Sequence, residues 1–159
     1  MNSNSLDPVI SIGTLAKKVG LSVSAIRKYE EEGLIISHRS NSGHRRFSFE
    51  DIERLRTIQH LIKNLGFNIE GIRRMEAILP CWDLLPCTDE IRNSCMAFKG
   101  STKPCWMIKD AHCSVQGNEC RKCPVYRFGT LHTEGIKLLV HSSNDGNKQR
   151  ETIERALKG

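Results

Sequence analysis

The chain has 159 residues, 38% hydrophobic with nine aromatics, enough for one full domain or a small domain plus an appendage but not for several large cores. Its formal charge of +6 and pI near 9.0 point to an anionic partner, nucleic acid being the commonest, with a solvated basic surface as the alternative. The opening MNSNSLDPVISIG lacks the charged start and apolar run of a secretory signal, and no stretch approaches a membrane span, so a cytoplasmic, thiol-reducing location is expected.

The charge itself does not locate a partner: residues 1–80 and 81–159 each hold 12 Lys+Arg against 9 Asp+Glu. Position matters more. ISIGTLAKKVGLSVSAIRKYEEEGLI reads as two short helices across a tight turn. Ile12, Leu15, Ala16 and Val19 recur at helical spacing, and Gly20 supplies a positive φ to end the first helix. Ser22 caps the second, whose inward face is Val23, Ile26 and Tyr29, and Gly33 closes it. This is helix-turn-helix patterning, with Ser22, Ser24, Ala25, Arg27 and Lys28 near the start of the second helix, the region that faces the major groove in such motifs. The run Glu30–Glu32 is expected to be a solvated helix face.

LIISHRSNSGHRRFSF then predicts a hairpin around SNSG, with Arg39 on one arm and His44, Arg45 and Arg46 starting the other. Crowding these cations on a small loop is unfavourable unless an anion meets them, and phosphate contact is the natural reading. Ser48 and Asp51 form a capping box for a longer helix with the apolar stripe Ile52, Leu55, Ile58, Leu61, Ile62 and Leu65, ended by Gly66. Asn68 caps a last short helix, IEGIRRMEAIL, which Pro80 terminates.

These blocks, in this order, resemble the winged-helix DNA-binding domain of the MerR family over roughly residues 9–79, and NIEGIRRM is most similar to its heat-shock repressor (HspR-like) branch. The resemblance implies that the second helix enters the major groove while the wing touches the backbone. On that basis Ser24, Ala25, Arg27, Tyr29, Arg39, His44, Arg45 and Arg46 are the DNA-contacting candidates, His44 standing where the family usually has tyrosine. It also implies a homodimer on double-stranded promoter DNA, acting on RNA polymerase indirectly by distorting the promoter, or simple repression. The family's long antiparallel dimerisation helix has no counterpart here: the chain runs instead into LPCWDLLPC, with no heptad pattern after it.

All seven cysteines fall between Cys81 and Cys123, an odd number that fits a disulfide framework poorly. Pro-Cys-Trp occurs twice, at Cys81-Trp82 and Cys105-Trp106, suggesting a degenerate internal repeat. The second unit is the better formed, and Cys105, Cys113, Cys120 and Cys123 are the candidate metal ligands, with Cys81, Cys87 and Cys95 as possible further ligands of a second or shared site, or as reactive thiols. Four thiolates hold either an iron–sulfur cluster or tetrahedral zinc. Pro124, directly after Cys123, favours iron–sulfur, and the single Cys-x-x-Cys pair with wide gaps disfavours a zinc ribbon. His112 is a further candidate ligand, and Trp82 and Trp106 would shield a centre from water. After Tyr126 the pattern suggests one short helix, a linker at SSNDGNKQ and a polar tail.

The expected fold is mainly α: a winged helix-turn-helix domain with a small β-hairpin wing over 9–79, a small cysteine-rich, metal-stapled module over 80–128, and a helical or partly disordered tail over 129–159. The expected function is sequence-specific transcriptional regulation in which the cysteine module reports redox, gas or metal status. The alternatives are the same regulator with a purely structural zinc module, and a thiol–disulfide or electron-transfer protein using Cys120 and Cys123. Against an enzyme, no thioredoxin-like βαβ pattern surrounds that pair, and no serine–histidine–carboxylate set or phosphate-cradling loop is present.

Overall fold

The computed structural model describes residues 4–85, 87–109, 111, 113 and 120–128. It is mainly α with one small antiparallel sheet, and it divides into two compact units, Met1–Ile72 and Arg73–Gly159. Among the described residues no helix is long and apolar enough to cross a membrane.

The first unit begins with strand β1 (Ile10–Ser11) and runs directly into α1 (Ile12–Val19). Ser11 caps α1 by accepting from the Thr14 N–H, and Gly20 ends it at φ 67, a left-handed backbone that a β-carbon would strain. Ser22 Oγ accepts from the Ala25 N–H at 3.1 Å and so starts α2 (Val23–Glu31) as the sequence indicates. The two helices pack on each other and carry Leu15, Ala16, Val19 and Ile26 into the core. Val23 and Tyr29 are only half-buried.

The wing is the hairpin β2 (His38–Arg39) and β3 (Arg45–Phe47), turned at Ser40–His44 with Gly43 at φ 80. A third strand was not legible in the sequence: β1 pairs with β3, Ile10 opposite Phe47 and Ser11 opposite Arg46, giving the order β1-β3-β2. Phe47 is fully buried, so this pairing ties the wing to the core at its base. Ser48 and Asp51 form the expected capping box of α3 (Phe49–Lys63), which buries Ile52, Leu55, Ile58 and Leu61. Each such aliphatic side chain contributes about 1.5–3 kcal/mol when fully withdrawn from water.

Two features of α3 correct the sequence expectation. Leu65 is half exposed, because the helix has already ended at Lys63 and Gly66 at φ 73 turns the chain away from the stripe. The core side contains instead a buried arginine: Arg54 donates from Nε to the Leu34 carbonyl at 2.6 Å, satisfying the loop between α2 and the wing. Asn68 then accepts from the Gly71 N–H at 2.7 Å and caps α4 (Ile69–Ala77).

The second unit is built from short pieces: α5 (Cys81–Leu84), α6 (Asp89–Ser94), 3₁₀ turns at Cys105–Met107 and Cys120–Lys122, and α7 (Pro124–Phe128). Its buried apolar set includes Leu79, Leu84, Val125 and Tyr126, and α5 packs against α7. The expected ligand His112 and the segments predicted after Phe128 lie outside the described residues.

Candidate nucleic-acid interface and cysteine cavity

The wing and α2 bring five of the sequence-picked residues to one place. Arg27, Arg39, His44, Arg45 and Arg46 line a single depression together with Ser11, Ile12 and Gly43. The hairpin register sets Arg39 directly opposite Arg45 and His38 opposite Arg46. Like charges facing each other across a ladder are unfavourable, so the arrangement requires compensation. Part of it comes from Glu30 of α2, whose Oε2 accepts from Arg45 Nε at 2.5 Å while its other oxygen accepts from Ser37 Oγ. Glu30 is therefore not the plain solvated position that the Glu30–Glu32 run suggests; it clamps the wing onto α2. Arg39 donates to the Gly43 carbonyl at 3.2 Å across the turn, and its side chain is exposed. Arg27 and His44 are exposed, and Arg46 is half-buried.

The other three picked residues lie apart from this depression. Ser24 is exposed in the first turn of α2, its hydroxyl 2.9 Å from Ser22 Oγ. Ala25 is half-buried beside it. Tyr29 faces a different groove, shared with Lys28, Glu32, Ile62, Phe67 and the start of α4.

In the second unit all seven cysteines line one cavity of about 170 Å³. Cys95 and Cys123 are buried, Cys81, Cys87 and Cys105 half-buried, and Cys113 and Cys120 exposed. The two Pro-Cys-Trp segments start similarly: Pro80 precedes α5 and Pro104 precedes the first 3₁₀ turn, and Cys81 and Cys105 are the first residues of these turns. Each tryptophan meets, edge to face, the aromatic three residues after a buried cysteine. Trp82 meets Phe98 at 5.0 Å and Trp106 meets Tyr126 at 5.1 Å, both at 89°. The internal repeat suspected from the sequence thus extends to Cys-x-x-Phe98 and Cys-x-x-Tyr126, and all four rings line the cavity.

Burial pushes the Cys81 thiol up to about 11, and the neighbouring Cys95, Cys87 and Cys113 add to the effect. Burial raises Cys105 further still, Cys81 being the foremost of the thiols that reinforce it. Cys123 is also raised by burial, in part offset by the backbone N–H groups of Val125 and Tyr126. Burial thus favours the neutral form of Cys81, Cys105 and Cys123, and their thiolate charge is accommodated there best together with a cation.

The donor set fits a thiophilic metal: seven sulfurs, an aromatic surround, and no carboxylate or imidazole among the described lining residues. Among the described residues no three His, Cys, Asp or Glu side chains are gathered as a ready ligand group. Lining a common cavity is a looser condition than reaching one point, and only the looser one is met. The one charged side chain among the described lining residues is Arg92. Its guanidinium donates to the Cys87 carbonyl at 3.3 Å, pairs with Asp89 at 3.4 Å and lies 5.6 Å from the Phe98 ring centroid. Its Nε is buried with no hydrogen-bond acceptor. Neither role carried a sequence signal: Glu30 meets Arg45 across 15 positions only once the wing folds onto α2, and Arg92 reaches the cavity only through the turn that brings it to the Cys87 carbonyl.

Comparison with known proteins agrees with the first unit and reaches into the second. Residues 10–77 match the family model described as MerR HTH family regulatory protein. A probable heavy metal-dependent transcriptional regulator of Haemophilus influenzae is 33% identical over 130 residues, covering 72% of this chain and 94% of that protein. The HTH-type transcriptional regulator TnrA of Bacillus subtilis is 54% identical over 50 residues, 31% of this chain and 46% of its own length. The putative heat shock protein HspR of Streptomyces coelicolor is 38% identical over 68 residues, 43% of this chain and 45% of its own. The chain thus spans about half the length of these last two relatives and nearly all of the first.

Proposed function

The chain belongs to the MerR family of transcriptional regulators and is not an enzyme; from that premise we propose that it grips promoter DNA through the wing depression and holds a thiolate-ligated metal centre in the cysteine cavity. The observation that carries the DNA reading is the convergence of Arg27, Arg39, His44, Arg45 and Arg46 on one face. Arg39, His44, Arg45 and Arg46 contact phosphates, and the first turns of α2, with Ser24, Ala25, Arg27 and Tyr29, enter the major groove. The chain acts as a homodimer on double-stranded DNA in the cytoplasm and influences RNA polymerase through the promoter it distorts or covers.

Cys105, Cys113, Cys120 and Cys123 hold the centre, an iron–sulfur cluster in preference to zinc. When bound, it supplies a positive core that the thiolates require and a state sensitive to redox, gas or metal supply. Trp82, Phe98, Trp106 and Tyr126 exclude water from the sulfurs, and Arg92 offsets the negative charge that thiolate ligation leaves. The heavy metal-dependent regulator among the relatives supports this reading. Loss or oxidation of the centre unties the second unit, whose apolar core is small, and that changes how a pair of chains presents its DNA-binding units. The smallness of that core also favours the second reading, in which zinc is a staple without a sensing role.

The reading is tested by operator binding across salt concentrations. Replacing Arg39 and Arg46 by Ala should weaken binding and reduce the slope of log K against log salt by about one for each lost phosphate contact. Unchanged affinity and slope would remove the wing from the interface.

A further inference from the structure

We propose that a single metal centre is held jointly by the two Pro-Cys-Trp repeats, with ligands drawn from both, so that the first repeat's cysteines are ligands and not bystanders. This rests on the reading above that the cavity holds metal, and it goes beyond the four-cysteine set of the second repeat.

The two repeats present their thiols to the same cavity, not to separate ones. Their architecture is matched: a proline, a short turn opening on cysteine, and a tryptophan set edge-on to the aromatic that follows a buried cysteine by three residues. Cys95 and Cys123 occupy corresponding places and are 7% and 8% exposed, whereas Cys113 and Cys120 of the second repeat are exposed. The deeper sulfurs of the cavity are therefore shared between repeats. Packing joins the repeats directly, because α5, which starts at Cys81, lies against α7, which follows Cys123. A centre ligated only by the second repeat would leave the half-buried Cys81 and buried Cys95 facing it as idle thiols in a pocket with few polar groups. A centre ligated from both sides draws the two halves of a weak core together, which is where metal binding adds most to folding.

The test uses the full chain, purified without oxygen, as wild type and as Cys81→Ser and Cys105→Ser, with bound metal measured after challenge by a chelator. A shared centre predicts that both substitutions weaken metal retention by more than about 10-fold, the loss that even an outer-shell change produces. Thiol alkylation mapped by mass spectrometry on the wild type gives a readout independent of variant folding. Cys81 and Cys95 should react faster once metal is removed, as should Cys105 and Cys123. Full metal retention in Cys81→Ser beside its loss in Cys105→Ser, or metal-dependent protection confined to the second repeat, overturns the shared centre while leaving the metal reading intact. A wild type that binds no metal overturns both.

Discussion

Arg45 and Arg39 face each other across the wing, yet their electrostatic circumstances differ. Arg45 is paired with Glu30, while Arg39 is exposed and bonded only to a backbone carbonyl among its described contacts. Arg39→Ala should therefore reduce the salt slope of DNA binding by about one, and Arg45→Ala by less, because Glu30 already neutralises part of its charge. Equal slopes for the two variants would contradict the clamp. Arg92 makes the second case at this scale. It is the lone cation among the described residues lining a pocket of thiols, and its Nε is buried without an acceptor. Arg92→Gln keeps polarity but removes the charge, and should weaken metal retention by about 10-fold in a chelator competition; Arg92→Lys, which keeps charge but not the planar fork, should recover part of it. Identical retention in all three proteins would assign Arg92 a packing role alone.

The elements of the first unit follow from local chemistry, which is why they are readable from the sequence. The caps at Ser22 and Ser48 and the left-handed Gly20 each act within a few residues of themselves. Ser22→Ala should cost about 1 kcal/mol and Gly20→Ala about 1–2 kcal/mol, measured as shifts of the urea midpoint at constant m. Strand β1 was not readable, because its two residues acquire strand character only by pairing with Phe47 and Arg46 some 36 positions away. The buried Arg54 was not readable for the same reason: its acceptor, the Leu34 carbonyl, lies 20 positions away in the loop between α2 and the wing. In the cysteine module the spacing raises the expectation of metal ligation, but which thiols share a cavity depends on α5 meeting α7 and on the two aromatic pairs. That module also has a pH signature when free of metal. Folding raises the Cys81 thiol to about 11 from an ordinary 9.0, so the folded form keeps a proton that the unfolded form has lost. Its stabilising contribution is complete below pH 9.0 and disappears as pH rises through about 11. Near-UV circular dichroism of the two tryptophans should accordingly lose intensity over that window. Metal retention should run the opposite way and fall toward acid, where protons compete for the sulfurs.

At the scale of the whole molecule, two chemistries share one chain. A family-typical DNA-binding unit carries the cations on a wing tied to its core, and a second unit gathers every cysteine of the sequence around one cavity. The family match covers residues 10–77, ending ahead of the first cysteine, whereas the Haemophilus relative aligns over 72% of the chain. In the proposed function the two are joined, the cavity's occupancy setting the order of the second unit and that order setting DNA affinity. Removing metal from the intact protein should therefore change operator binding while leaving the first unit folded, with the DNA-binding helices retaining their far-UV signal. The most direct measurement of the central claim is metal and sulfide analysis, with an absorption spectrum, of the full chain purified without oxygen. The account predicts stoichiometric iron and sulfide with broad visible absorption. A colourless protein with no stoichiometric metal and seven freely reactive thiols would contradict it.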